Sequence, residues 1–254
     1  MENDNNSETD KPVSVFHRLV NEHAAHTESI PLPDYSGKGP LNKTNLNTNS
    51  NEEKNMKQNY THLIIILDAS GSMRSIKDDI KGSFTEFLKK QREEPGKTVF
   101  DLFQFNDVVK RSVNAADLAT FHDDLMSRYK CTGCTALNDA ICIAMDTIGQ
   151  EFANMPEEER PEHVLCVIIT DGEENASKEY TTEDVKNRIE HQKTKYNWQF
   201  EFLAANQDAC ETGESFGLDE DDCMDFECDS EGVELLCEYV EDRISSIRKK
   251  TRKK

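Results

Sequence analysis

A doubly wound α/β domain, with a mostly parallel central sheet, one antiparallel edge strand and helices on both faces, is the fold class this 254-residue sequence predicts. Three observations predict it. Two runs, 63–67 (LIIIL) and 164–169 (VLCVII), are wholly apolar and too short for buried helices, as strands covered on both faces are. Segments with a helical period alternate with strand-like segments from Tyr60 onward. The residues from 59 on are numerous enough to bury one full core.

Taken in order, residues 1–58 stand apart. They hold 4 of the 7 prolines and 10 asparagines, with few large apolar residues, so a disordered tail is expected there. Within it, Val15, Phe16, Leu19 and Val20 follow Asp10 and Pro12 at helical spacing, which predicts a short helix over 12–25. HLIIILD is the first strand. Ile76, Ile80, Phe84, Phe87 and Leu88 then mark one helical face. TVFDLFQF reads as a second strand, in which Val99, Leu102, Phe103 and Phe105 point to the core. VVKRSV, after Asn106-Asp107, reads as its hairpin partner. A helix is expected around Ala116 to Met126. A longer one runs from Ala136 to Phe152, with Leu137, Ala140, Ile141, Ala144, Met145, Ile148 and Phe152 inward. HVLCVIIT is the next strand. Thr181 or Thr182 caps a helix carrying Val185, Ile189 and Tyr196. WQFEFLAA is a further strand and CMDFEC a short edge strand. Val233, Leu236, Val240, Ile244 and Ile247 line a last helix. The domain is expected over 59–250.

Composition excludes several classes. A net charge of −20, from 50 acids against 30 bases, disfavours broad nucleic-acid or anionic-membrane binding. The polar N-terminus shows no secretory leader, and no apolar run approaches the roughly 18 residues of a membrane span. A reducing compartment, the cytoplasm, is therefore expected, with the 8 cysteines mostly free thiols. Residues 208–242 hold 15 acids and no lysine or arginine, too irregular in spacing for a calcium loop, and read as a solvated edge and helix face. Residues 243–254 hold 7 bases and no acid. They read as C-terminal helix charge or a basic tail, the one candidate for nuclear import or RNA contact.

The chemistry concentrates where the two apolar strands end. One ends in Asp68-Ala-Ser70-Gly-Ser72, the other in Thr170-Asp171-Gly172. In a doubly wound sheet, ligands bind beyond the carboxyl ends of central strands. Thr135, in the loop before the longest core helix, can add a third hydroxyl. An all-oxygen set without histidine suits a hard divalent cation and disfavours zinc or copper. Cys131 and Cys134 form one CxxC beside this loop, and Cys223 and Cys228 a looser pair. Four converging ligands would be needed for zinc, and nothing in the spacing joins the pairs.

The contexts LDASGSM, TALNDAI and VIITDGEENAS together resemble the von Willebrand factor type A domain family, over about residues 60–248, and among its members the small stand-alone intracellular ones. The family's D-x-S-x-S, threonine and aspartate are matched by Asp68, Ser70, Ser72, Thr135 and Asp171. The resemblance implies a complete metal-ion-dependent adhesion site. In it Ser70 and Ser72 ligate Mg²⁺ (or Mn²⁺), Thr135 ligates directly or through water, and Asp68 and Asp171 act largely through water. A carboxylate of a partner protein fills the open position. Cys134 departs from the glycine common in relatives, a change expected to stiffen the loop. The alternative is a Mg²⁺-dependent hydrolase or phosphoryl-transfer enzyme at the same crevice. Against it, Ser70 stands where an aspartyl-phosphate enzyme would carry a second acid, and the sequence has no GxxxxGK, GxSxG or HExxH.

Overall fold

The computed structural model describes residues 60–122, 125–205 and 208–251. The expected tail over 1–58, with its helix over 12–25, lies outside the described residues. The strands are β1 (Tyr60–Asp68), β2 (Lys97–Phe105), β3 (Val109–Asp117), β4 (His163–Thr170), β5 (Gln199–Ala204) and β6 (Cys223–Asp225). The α-helices are α1 (Lys77–Glu93), α2 (Leu137–Asn154), α3 (Thr182–Tyr196), α4 (Ala209–Ser215) and α5 (Ser230–Thr251). One sheet runs β3-β2-β1-β4-β5-β6. Every pairing is parallel except β2 with β3, so the antiparallel strand sits at an edge as expected.

The apolar run of β1 explains the layering. Successive strand side chains point to opposite faces. Leu63, Ile65 and Leu67 pack on one face with Ile80, Phe84 and Phe87 of α1 and Val233, Leu236 and Ile244 of α5. Ile64 and Ile66 pack on the other with Ile141, Met145 and Ile148 of α2 and Val185 and Ile189 of α3. All five β1 residues are at most 2% exposed. Burying each contributes about 1.5–3 kcal/mol. An alternating pattern would have left one face of the sheet bare. β2 is likewise buried on both sides, with Phe100 and Leu102 on one face and Phe103 and Phe105 on the other.

One expectation is corrected, and one helix was not anticipated. The helix expected around Ala116 to Met126 does not form. β3 instead continues to Asp117, pairing Ala116 with Phe100 and Asp117 with Val99, and among the described residues a 3₁₀ turn over Leu125–Arg128 follows. Ala115 takes a left-handed φ of 43°, and its N–H donates to buried Asp101 at 3.1 Å. Sheet pairing overrides the helix propensity of the alanines. The acidic stretch also contains α4, capped by Asp208, whose carboxylate accepts the Glu211 N–H at 2.8 Å. At the chain's basic end, Arg243 hydrogen-bonds to fully buried Glu201, and Arg248, itself buried, donates to Thr98. Both arginines thus tie α5 to the sheet.

Candidate metal centre

β1 and β4 are neighbours in the middle of the sheet, with Leu67 beside Ile169. The loops that follow them therefore leave the same edge side by side. Asp68 anchors the first loop. Its Oδ1 accepts the Ser70 N–H at 2.6 Å, and its Oδ2 accepts the Thr170 hydroxyl at 2.7 Å. The Ser70 and Ser72 hydroxyls lie 2.9 Å apart. The Ser72 hydroxyl donates to Asp171 Oδ1 at 2.6 Å. Thr135 arrives from the third loop. A Cβ placed on Gly172 would stand 3.6 Å from both Ser72 Oγ and Thr135 Oγ1. Both hydroxyls thus border the space over that bare backbone. All five residues singled out in the sequence meet in one crevice.

Burial shapes its electrostatics. Asp68, Ser70, Asp171 and Thr135 are at most 3% exposed, while Ser72 is exposed at the mouth. Burial pushes the Asp68 carboxyl up to about 6, against the lowering effect of its hydrogen bonds from Thr170 and Ser70. Burial also raises Asp171, although Ser72 donates to it. The hydrogen-bond donors to Asp68 are neutral, so the negative charge meets no cationic side chain through them.

From the sequence, the Thr135 loop is expected to be the most mobile of the three, because it flanks no apolar strand, and its hydroxyl to lie in an exposed crevice. Thr135 is 3% exposed and tied on two sides. Its N–H donates to Asn175 Oδ1 at 2.9 Å, and its carbonyl accepts the Asn175 N–H at 3.0 Å. Glu174 accepts the Asn138 N–H at 2.8 Å, and Asp139 accepts the N–H groups of Lys178, Glu179 and Tyr180, stitching the loop after β4 to the start of α2. On the other side the hairpin tip takes hold: Cys134 N–H donates to Asp107 Oδ2 at 3.0 Å. Gly133 carries the left-handed φ of 82°, whereas Cys134 does not require one. Cys134 therefore sits beside Thr135 without backbone strain.

Sequence reasoning missed these supporting residues, and it missed Tyr129. That tyrosine is fully buried, and its hydroxyl donates to the Asp68 carbonyl at 2.5 Å. The Asn106-Asp107 turn was visible, but only as a hairpin signal. Cys131 is buried and Cys134 exposed, both as free thiols, and burial raises the Cys131 thiol. Asp208, Cys210 and Asp225 also converge, but both carboxylates accept backbone N–H groups at the start of α4.

The comparisons with known proteins agree with this architecture. No curated protein matches the sequence. Proximal thread matrix protein 1 from the mussel byssus superposes with a TM-score of 0.52 at 12% identity, over 76% of this chain and 47% of that one. The PilB minor pilin from Streptococcus sanguinis gives 0.52 at 11%, over 75% and 62%. A von Willebrand factor type A protein from Catenulispora acidiphila gives 0.51 at 15%, over 76% and 42%. The chain thus spans about half the length of these proteins, and at such identities the likeness is one of fold. The model of the von Willebrand factor type A domain matches residues 62–230, more than half of the sequence, and on that match the chain belongs to the von Willebrand factor type A domain family.

Proposed function

We propose that the crevice holds a divalent cation, Mg²⁺ or Mn²⁺, and through it captures an acidic side chain of a partner protein. The observation that carries this reading is the continuous run from Asp68 through Ser70 and Ser72 to Asp171, with the Thr135 hydroxyl bordering the same space over Gly172. The residues fit such an ion. Every donor is an oxygen, as hard cations prefer. The 2.9 Å between the serine hydroxyls matches the roughly 3 Å edge of an octahedron with bonds of about 2.1 Å. Burial raises both carboxyls, and a bound cation would favour their charged forms.

Ser70, Ser72 and Thr135 would be the direct ligands, with Asp68 and Asp171 acting through water. When bound, the cation offers an electrophilic position that attracts a carboxylate. The protein's own groups do the rest. Asp68 fixes the Ser70 backbone, Asp171 orients the Ser72 hydroxyl, and the neutral hydroxyls leave most of the ion's charge available to a ligand. This is a binding device rather than a catalytic one: Ser70 occupies the place where an aspartyl-phosphate enzyme would carry a second acid. The partner is expected in the cytosol, where the free thiols would persist.

Affinity capture from cytosol in Mg²⁺, repeated in EDTA, tests the reading, alongside calorimetry with Mg²⁺ and Mn²⁺. Metal binding and metal-dependent capture are expected, with no turnover of phosphoesters. Absence of metal binding, or turnover that requires Mg²⁺, would overturn it.

A further inference from the structure

We infer that Asp107, at the tip of the β2–β3 hairpin, is a positioning residue that sets the Thr135 hydroxyl and the Ser70–Ser72 loop for the cation, an inference that rests on the metal-binding reading. The tip is self-contained. Asn106 N–H donates to the Val108 carbonyl at 3.2 Å, and Val108 N–H donates to Asn106 Oδ1 at 3.1 Å. From this fixed turn four bonds reach the loop over 132–136, one of them from Asn106 Nδ2 to the Thr132 hydroxyl at 3.4 Å. Asn106 Nδ2 donates to the Thr132 carbonyl at 2.7 Å, and the Ala136 N–H donates to the Asn106 carbonyl at 3.0 Å. Asp107 Oδ2 accepts the N–H of Cys134, the residue just before Thr135, at 3.0 Å.

The hold passes on to the serines. Gly133 O accepts the Gly71 N–H at 3.0 Å, and Gly71 lies between Ser70 and Ser72. Asp107 also occupies the space a side chain at 133 would take: a Cβ there would fall 2.0 Å from Asp107 Oδ2. The carboxylate and the left-handed Gly133 are thus matched to each other. An exposed carboxylate accepting one backbone N–H stabilises the fold little, because water competes for both groups. Its consequence is geometric. It sets the backbone one residue from Thr135 and, through Gly133, the backbone between the two serines.

The test separates this bond from the charge. Asp107→Ala and Asp107→Asn both remove the negative charge, but only asparagine keeps an oxygen that can accept the Cys134 N–H. Calorimetric titration of the full chain with Mn²⁺ should show Asp107→Ala at least about tenfold weaker than wild type, as for groups that support metal ligands. Asp107→Asn should stay several-fold tighter than the alanine variant, and melting temperatures in EDTA should agree. Asp107→Glu, which keeps the charge but shifts the acceptor by one methylene, should also weaken binding. Equal affinities for the alanine and asparagine variants would overturn the inference, as would unchanged affinity in the alanine variant. If wild type binds no Mn²⁺, the metal reading fails by itself. The Thr135 methyl NMR shift in metal-free protein then decides the positioning role. It should move in Asp107→Ala and not in Asp107→Asn, and an unmoved shift in both would overturn it.

Discussion

Asp68 carries the largest electrostatic burden in the crevice. A fully buried carboxylate is costly unless hydrogen bonds or a cation meet it, and among the described residues the hydrogen-bond donors to Asp68 are neutral. The Ser70 bond comes from the backbone, so it survives removal of the side chain. Ser70→Ala combined with Ser72→Ala should therefore leave the circular dichroism spectrum intact while abolishing Mg²⁺ binding in calorimetry; unchanged binding would remove the serines from the ligand set. Gly172→Ala approaches the same space from the other side. Its Cβ would meet the Ser72 and Thr135 hydroxyls at 3.6 Å, an ordinary contact, and Gly172 does not have a positive φ. The variant should fold normally yet crowd the ion, with Mn²⁺ affinity lower by at least tenfold; affinity equal to wild type would place the ion elsewhere.

α3 leans on polar contacts at its start and along its buried face. Thr181 and Asp184 form a reciprocal capping box at its start, and its hydrophobic stripe is narrow, with Val185 and Ile189 buried. Arg188 joins it to α2. This side chain is 3% exposed, forks onto Asp146 with bonds of 3.0 and 3.1 Å, and stacks over Tyr180 at 4.8 Å. Arg188→Ala would leave Asp146 partly buried and unpaired, so a loss of about 3 kcal/mol is expected, typical of breaking one side of a buried pair. Thr181→Ala should cost about 1 kcal/mol. Urea denaturation of both variants checks the order: a capping loss equal to or larger than the arginine loss would contradict this account of α3.

Over the whole molecule, acid sensitivity should trace in part to Asp101, alongside Glu174, which burial raises but hydrogen bonds from Ser177, Asn138 and Ala176 lower on balance. Burial raises the Asp101 carboxyl, but bonds from His62 at 2.7 Å and Arg111 at 2.5 Å outweigh it, so the net shift is downward. A carboxylate with a folded-state value below its unfolded one stabilises the fold fully above about pH 4, and that contribution is lost as pH falls through the lower folded value. The melting temperature should fall below about pH 4, and Asp101→Asn, less stable at pH 7, should show a shallower fall; parallel curves would assign the acid sensitivity elsewhere. Among the described residues, α1 to α5 cover both faces of the sheet. We expect deletion of residues 1–55 to leave the melting temperature and metal binding unchanged. A large drop on truncation would mean that part of residues 1–55 packs on the domain.

By itself the sequence determined which segments become elements and where chemistry gathers. Wherever an apolar period is long, as in α1, α2 and α5, or an apolar run is unbroken, as in β1 and β4, side-chain burial is a local property and can be read from one segment. That Asp68, Ser70, Ser72, Thr135 and Asp171 come together was legible for a related reason: they stand directly at the ends of buried strands or at the mouth of a core helix, which the sheet brings side by side. Tertiary structure alone decided that Ala116 and Asp117 extend β3, because the bond from Ala115 to Asp101 joins residues on different strands. It alone chose Asn106, Asp107, Glu174 and Asn175 from many polar loop residues as the supports of Thr135. A hydrogen bond depends on the direction and distance of both partners. When those partners are tens of residues apart, only the packed sheet brings them within reach, and no local pattern distinguishes them from side chains that face water.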